Sequence, residues 1–334
     1  MLTRLTTLIN YMKINYLSFI LFLLICSCGN NNPKTPDGPS PSATKKKILF
    51  DATKAEMCGN ADWVIDADEF NMGYNNTGRM MEGKSNEANP QRFPTPAQEE
   101  ITKDTKENFW TGALSAWAID CVKEGFYVET LPIRGRITYG DSSNEQDLSH
   151  YAIYIVDEPN IKFDDAEKAA ILKFVNNGGG LFMIADHDQS DRNRDSWDSP
   201  DIWNDLNTGK TIPIEFDKVE ISQKSDHFAI DKHPVLDGKF GRPKEIKISA
   251  GTQMHLAKGA EALCVSKQSK DKNHGVLVAV CSYGKGRVVA LSDSSPADDG
   301  TGDKNDKLYK GYNHEVNGDH KILLMNAILW LSGI

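Results

Sequence analysis

The sequence predicts an α/β domain, with a mostly parallel sheet, helices on both faces and a late antiparallel hairpin at one side. Three observations predict it. Short apolar runs bounded by turn residues, at 47–51, 126–131, 151–157 and 181–185, read as strands buried on both faces, the habit of parallel sheets. Between them, 108–123 and 164–176 carry apolar residues at helical spacing. Strand and helix alternate along the chain, which predicts helices covering both faces of a parallel sheet.

The N-terminus reads as an address. Lys13 precedes an apolar run from Tyr16 to Ile25, too short to span a bilayer stably and laid out like a secretory signal peptide. Ile25-Cys26-Ser27-Cys28 resembles a bacterial lipobox. That resemblance implies a lipoprotein of the bacterial cell envelope, with residues 1–27 as signal and Cys28 as the lipidated residue that anchors it to a membrane; a plain cleaved signal is the alternative. Residues 28–46, rich in Pro, Asn and Ser, cannot bury a core and read as a tether.

The remainder, 47–334, is within the size of one large α/β domain. Lys47–Asp51 is the first strand, and the helix over Asn108–Lys123 is stopped by Gly125. Two further strands follow, Phe126–Leu131 and Tyr151–Val156, the latter running into Asp157-Glu158-Pro159. The next helix starts near Asp164 and ends before Gly178, where three glycines lead into the strand 181–185. Segments 275–280 and 287–293 flank the turn Tyr283-Gly284-Lys285-Gly286 as a hairpin, and 321–331 closes the chain as a helix. The stretch of about 195–272 is less regular and reads as an insertion beside the sheet.

A net charge of −9 with no long basic run after the tether argues against a nucleic-acid partner. Of the cysteines, Cys58, Cys121, Cys264 and Cys281 lie in the domain, at spacings that match no zinc pattern. Export would permit disulfides, while the apolar settings of Cys121 and Cys281 equally fit buried thiols.

Acids stand where apolar runs stop: Asp51, Asp157 with Glu158, Asp186-His187-Asp188, and Asp293. Ligands of open parallel sheets bind beyond the carboxyl ends of the strands, so neighbouring strands would bring these groups to one rim. Oxygen donors with an imidazole suit a divalent metal, and Asp51, Asp186, His187 and Asp293 are its candidate ligands. His187, Asp188, Asp298 and His314 are candidates for acid and base chemistry. Trp63, Asp62, Arg192, Asn193 and Trp197 offer the rings and polar groups that hold a sugar. For any single acid the alternative is a helix cap or turn, and for each tryptophan a plug in the core. No Gly-x-Ser-x-Gly elbow or P-loop is present.

Over Gly178–His187 the chain resembles the class I glutamine amidotransferase-like superfamily, nearest its trehalose-utilisation-type (ThuA-like) branch and the related domain of intraflagellar-transport proteins. Those domains share a helix, a glycine turn, an apolar strand and a sharp strand-to-loop corner. The segment Gly286–Pro296 resembles their late strand, and 321–331 their closing helix. The resemblance implies a flavodoxin-like or amidotransferase-like sheet. Where amidotransferases carry a nucleophilic cysteine at the corner, this chain reads Ala185-Asp186-His187-Asp188, so glutaminase activity is not implied. The residues together point to a lipid-anchored, metal-dependent hydrolase of a carbohydrate or related polar substrate. The alternative is a non-catalytic glycan-binding or scaffolding module on the same fold.

Overall fold

The structure, a computed structural model, describes residues 45–58, 61–66, 97–207, 209–301, 311–313 and 318–334, with only the backbone described at 57–58 and 61–62. Residues 1–44, which include the expected signal, Cys28 and most of the expected tether, lie outside the described residues.

In chain order the elements are β1 (Lys47–Asp51), β2 (Met57–Cys58), β3 (Ala61–Asp62), α1 (Ser115–Lys123), β4 (Tyr127–Leu131), β5 (Ile153–Asp157), α2 (Asp165–Asn176) and β6 (Gly180–Ile184). They continue with α3 (Ser199–Leu206), β7 (Ile214–Phe216), β8 (Ile221–Ser225), β9 (Ile246–Gly251), β10 (Met254–Leu256), β11 (Ala260–Val265), β12 (Val276–Tyr283), β13 (Gly286–Leu291) and α4 (His320–Leu331). Nine of the described strands form one sheet, in the order β4-β1-β5-β6-β13-β12-β10-β7, with β11 also paired to β12. From β4 to β13 the five neighbours are parallel; β12 turns antiparallel to β13. This is the α/β architecture the alternation predicts, with the hairpin strand β13 built into the parallel run. The stretch 195–272 contributes α3, the β8–β9 pair, and strands β7, β10 and β11 of the main sheet.

Two cores lie on opposite faces of the sheet. Side chains alternate along a strand. Ile48, Phe50, Ile153, Ile155, Phe182, Ile184, Val289 and Leu291 pack with α1 and α4. Leu49, Tyr154, Val156, Leu181, Met183, Val288 and Ala290 pack with α2 and α3. On the first face Trp117 of α1 stands edge-on between Phe50 and Phe182, with centroids 5.5 and 5.4 Å apart. Among the strands joined by long crossovers, β4 lies on one side of β1 while β5, β6 and β13 follow on the other. The crossover direction therefore reverses between β1 and β5, which is where open sheets of this kind leave a crevice.

Helix ends follow local chemistry. Asp164 caps α2 by accepting from the Glu167 backbone N–H, and Glu167 accepts from the N–H of Asp164, each at 2.8 Å. At the other end Gly178 (φ 116°) donates to Val175 O and Gly179 to Phe174 O, the paired C-terminal closure that favours glycine. Helix α1 begins at Ser115, seven residues later than the pattern from Asn108 predicts. Upstream, Leu114 N–H donates to Val64 O, and Gly112 is pressed so close that a Cβ would stand 2.6 Å from the same oxygen. The helix starts where Asp299 Oδ2 accepts from both Ser115 Oγ and the Ala116 N–H, each at 2.7 Å.

Gly180 opens β6 directly beneath α4, and a Cβ there would meet the Leu331 backbone at 2.8 Å. Gly180→Ala is expected to destabilise the domain by about 1–3 kcal/mol through overpacking, read as a lower urea midpoint with the m-value unchanged.

Candidate functional site

The parity of the strands sorts the acids. Continuing the alternation places Asp157 after Ile155, Asp186 after Ile184 and Asp293 after Leu291, all on the face covered by α1 and α4. The register aligns Asp157 with Ile184 and Ile184 with Leu291, so Asp157 stands level with those two apolar residues while Asp186 and Asp293 follow two residues further along, on the same face of adjacent strands. Asp51 has the opposite phase. It follows Phe50 and shares the face of Leu49, where its carboxylate accepts from Thr53 N–H (3.1 Å) and Thr53 Oγ1 (3.2 Å). Its neighbours are Glu56, Lys54 and Tyr154, and Lys54 is paired to Glu167 at 2.6 Å. Asp51 is therefore separated from the set in which the sequence places it. Burial, with the neighbouring charge of Asp51, pushes the Glu56 carboxyl well up.

Glu158 is the centre of the remaining network. It is wholly buried and holds a left-handed backbone (φ 49°) immediately before Pro159, a conformation that costs a non-glycine residue about 1–3 kcal/mol. The turn is held open by Glu158 N–H donating to Ile184 O and by Asn160 Nδ2 donating to the carbonyls of Ala55 and Glu158, each at 2.9 Å. The carboxylate accepts from Trp63 Nε1 (2.9 Å), Arg192 Nε (3.0 Å) and Ser294 Oγ (3.0 Å). Ser294 Oγ also lies 2.9 Å from Asp186 Oδ2, and Arg192 Nη2 is 3.6 Å from that oxygen. One hydroxyl proton serves two carboxylates. Burial, then the charge of Asp186, pushes the Glu158 carboxyl well up against the opposing pull of Arg192.

Asp186 takes the backbone N–H of His187 on Oδ1 at 2.6 Å, while its own N–H donates to Ser199 Oγ at 2.7 Å. The His187 ring is partly exposed. Its Nδ1 lies 2.6 Å from Asp188 O, a carbonyl that can only accept, so Nδ1 carries a proton and the neutral ring presents Nε2, 3.8 Å from Asp186 Oδ1, as an acceptor.

A second group of acids lies beside this one. Asp293 accepts from Ser295 N–H (3.0 Å) and Ser249 N–H (2.6 Å), and Asp298 accepts from Gly300 N–H (2.7 Å). Asp157, 2% exposed, has no hydrogen-bond partner on either oxygen among the described residues. Burial first, then the charges of Asp186, Asp293 and Asp298, pushes its carboxyl well up. Asp293 rises for the same two reasons, burial and Asp186, from 3.8 to about 8.

Several expected site residues have other settings. Trp63 is 1% exposed with its ring in the core, so it serves the site through its N–H rather than as an open sugar platform. Trp197 is half-buried under Lys162, whose Nζ sits 3.9 Å from the ring centroid. Asn193 is turned into its own loop, donating to Asp195 Oδ2 at 2.9 Å. Asp188 points its carboxylate towards Lys218 (3.5 Å) and Gln189 (3.3 Å). His314 and the side chains of Asp62 and Cys58 lie outside the described residues. Cys121, Cys264 and Cys281 are buried free thiols. Among the described residues no three His, Cys, Asp or Glu side chains are gathered in metal-binding geometry. The sequence sets Asp157 and Glu158 among the acids of the rim, as a double acid before a proline at the end of an apolar strand, but assigns them no role, and it does not single out Ser294.

No family model matches the chain, and no curated protein matches it. Among solved structures it is similar to the N-terminal domain of mmIFT52, at 12% identity and TM-score 0.49, covering 85% of this chain and 97% of that one. A cytoplasmic protein from Salmonella typhimurium is similar at 15% identity and TM-score 0.44, covering 64% of this chain and 85% of that one. A thua-like protein from Bacteroides uniformis is similar at 15% identity and TM-score 0.39, covering 88% of this chain and 95% of that one.

The raised carboxyls couple stability to pH. The folded chain keeps protons on Asp157 and Asp293 that the unfolded chain releases above about pH 4, so stability falls as pH rises towards about 8. In EDTA-containing buffer, urea unfolding is expected to show a lower midpoint at pH 8 than at pH 5. Asp157→Asn, which cannot titrate, is expected to flatten that fall; an unchanged slope would exclude Asp157 from the linkage.

Proposed function

We propose that the protein is a hydrolase of a carbohydrate or related polar substrate, working at the carboxyl rim of the sheet. The observation that carries this reading is the pair of acceptors His187 Nε2 and Asp186 Oδ1, 3.8 Å apart. A water donating one proton to each would be held with a lone pair free to attack, and His187 would take the proton as general base. Its tautomer is already set by the contact of Nδ1 with Asp188 O. Arg192, which contacts both Glu158 and Asp186, stands where negative charge developing on the leaving oxygen needs a cation. The Glu158–Ser294–Asp186 chain keeps a proton close to that oxygen. Backbone strain at Glu158 supports the same reading, since such strain concentrates where a side chain must be aimed.

The test is a panel of nitrophenyl glycosides and unmodified oligosaccharides. One sugar class is expected to turn over, with His187→Gln lowering kcat/KM by roughly 10²–10⁴-fold and leaving the urea midpoint close to wild type. Binding of an oligosaccharide without turnover would favour the glycan-binding module instead.

The lipobox resemblance supports export and attachment to the bacterial envelope through Cys28. Among the described residues no helix is long and apolar enough to cross a membrane. Cells fed radiolabelled palmitate are expected to label the wild-type protein and leave Cys28→Ser unlabelled; labelling of both would remove the anchor from this proposal.

A further inference from the structure

Asn160 is wholly buried and reaches three loops at once. It lies just past the end of β5 at Asp157. Its backbone N–H donates to Lys54 O at 2.7 Å and its Nδ2 to Ala55 O at 2.9 Å, both in the loop after β1. Nδ2 also donates to Glu158 O at 2.9 Å, and Oδ1 accepts from the Arg192 N–H at 3.0 Å, in the loop after β6. The crossover direction reverses between β1 and β5, where an open sheet leaves its crevice. Here one carboxamide spans that crevice from within the chain.

Two features set this side chain apart from an ordinary turn residue. Both carbonyls held by Nδ2 belong to residues with a left-handed backbone, Ala55 (φ 54°) and Glu158 (φ 49°). Each such conformation costs a non-glycine residue about 1–3 kcal/mol and persists only where the surroundings impose it. The contacts also close a ring. Asn160 fixes Glu158 through its carbonyl and Arg192 through its N–H, and the side chains of those two residues then meet, Arg192 Nε on Glu158 Oε1 at 3.0 Å. A turn asparagine bonds its own loop; this one also fixes the backbone of a residue 32 positions further on. We propose that Asn160 is the positioning residue of the rim, aiming the Glu158 carboxylate and the Arg192 guanidinium at each other.

A carboxamide suits the task, since it offers two N–H donors to two carbonyls and an oxygen to one N–H. Aspartate would turn an oxygen on two carbonyl oxygens, and serine is too short to span all three partners. Arg192 Nη2 also lies 3.6 Å from Asp186 Oδ2, so its placement decides whether a cation stands beside the leaving oxygen. Asn160 acts through Glu158 and Arg192 and not on the substrate. This inference deepens the hydrolytic reading and rests on it for its purpose. The aim of Glu158 is nevertheless measurable without a substrate, because the Trp63 indole N–H donates to Glu158 Oε2 at 2.9 Å.

The experiment uses the full chain without its expected signal, labelled with nitrogen-15, and follows the indole N–H resonances. The Trp63 signal is assigned by its loss in Trp63→Phe. Asn160→Ala is expected to move that signal and hasten its exchange with solvent. It is also expected to lower kcat/KM roughly 10²-fold, carried mainly by kcat. Asn160→Ser, a second variant in case the first misfolds, is expected to do the same to a smaller extent. Asn326→Ala controls for stability alone: this carboxamide is also buried, and it bridges the Phe240 N–H (3.0 Å) and Gly241 O (2.9 Å) instead. It is expected to lower the urea midpoint while leaving the Trp63 signal and kcat/KM unchanged. A Trp63 signal unmoved in folded Asn160 variants, or moved equally by Asn326→Ala, would overturn the inference, as would an unchanged kcat/KM in folded Asn160→Ala. Turnover by the wild type is scored separately. A wild type that hydrolyses no sugar, while Asn160→Ala still moves the Trp63 signal, would sink the hydrolase reading and uphold the positioning; hydrolysis with an unmoved signal would sink this inference alone.

Discussion

The alternation of side chains along adjacent parallel strands is the constraint on which the rest of this structure depends. Because β5, β6 and β13 run in register, any residue that continues the same apolar phase leaves the sheet on the same face. Asp157, Asp186 and Asp293 all meet that condition. A shift of one residue in any of these strands would send its acid into the opposite core, as the phase of β1 does with Asp51. The chemistry of the rim is thus inherited from the pairing of the strands.

Carboxylates held this deep are costly, since a buried charge needs partners that replace water. The surrounding loops are shaped by that need. Residues 186–199 fold back so that Arg192 reaches Glu158 and Asp198 both caps α3 and accepts from the Gln189 N–H. The loop after β13 brings Ser294 between two carboxylates, and three residues past Pro296 Asp299 caps α1. One loop therefore links the acid cluster to the helix that covers it. The strained turn at Glu158 belongs to the same arrangement: Asn160, Ile184 and Ala55 together hold a conformation that the backbone alone disfavours.

The differences between sequence and structure have physical causes. The helix pattern from Asn108 is right in composition but not in extent, because a close approach to Val64 holds 112–114 out of the helix and a cap from Asp299, distant in sequence, decides where it begins. Trp63 reads as a sugar platform from its polar neighbours, yet its ring is wholly enclosed and only its N–H serves the site. Glu158 is masked in the sequence by Asp157 beside it, since a pair of acids ahead of a proline is also an ordinary turn.

The sequence by itself determined the α/β class, the parallel strands, the α2 and α4 helices and the places where acids follow strands, because these are local matters of periodicity, capping and turn chemistry. The tertiary structure decided which acids meet. That choice depends on strand order and on the relative phase of four strands separated by up to a few hundred residues, together with side chains such as Arg192, Ser294 and Trp63 delivered from loops. None of those relations is a property of any single stretch of chain.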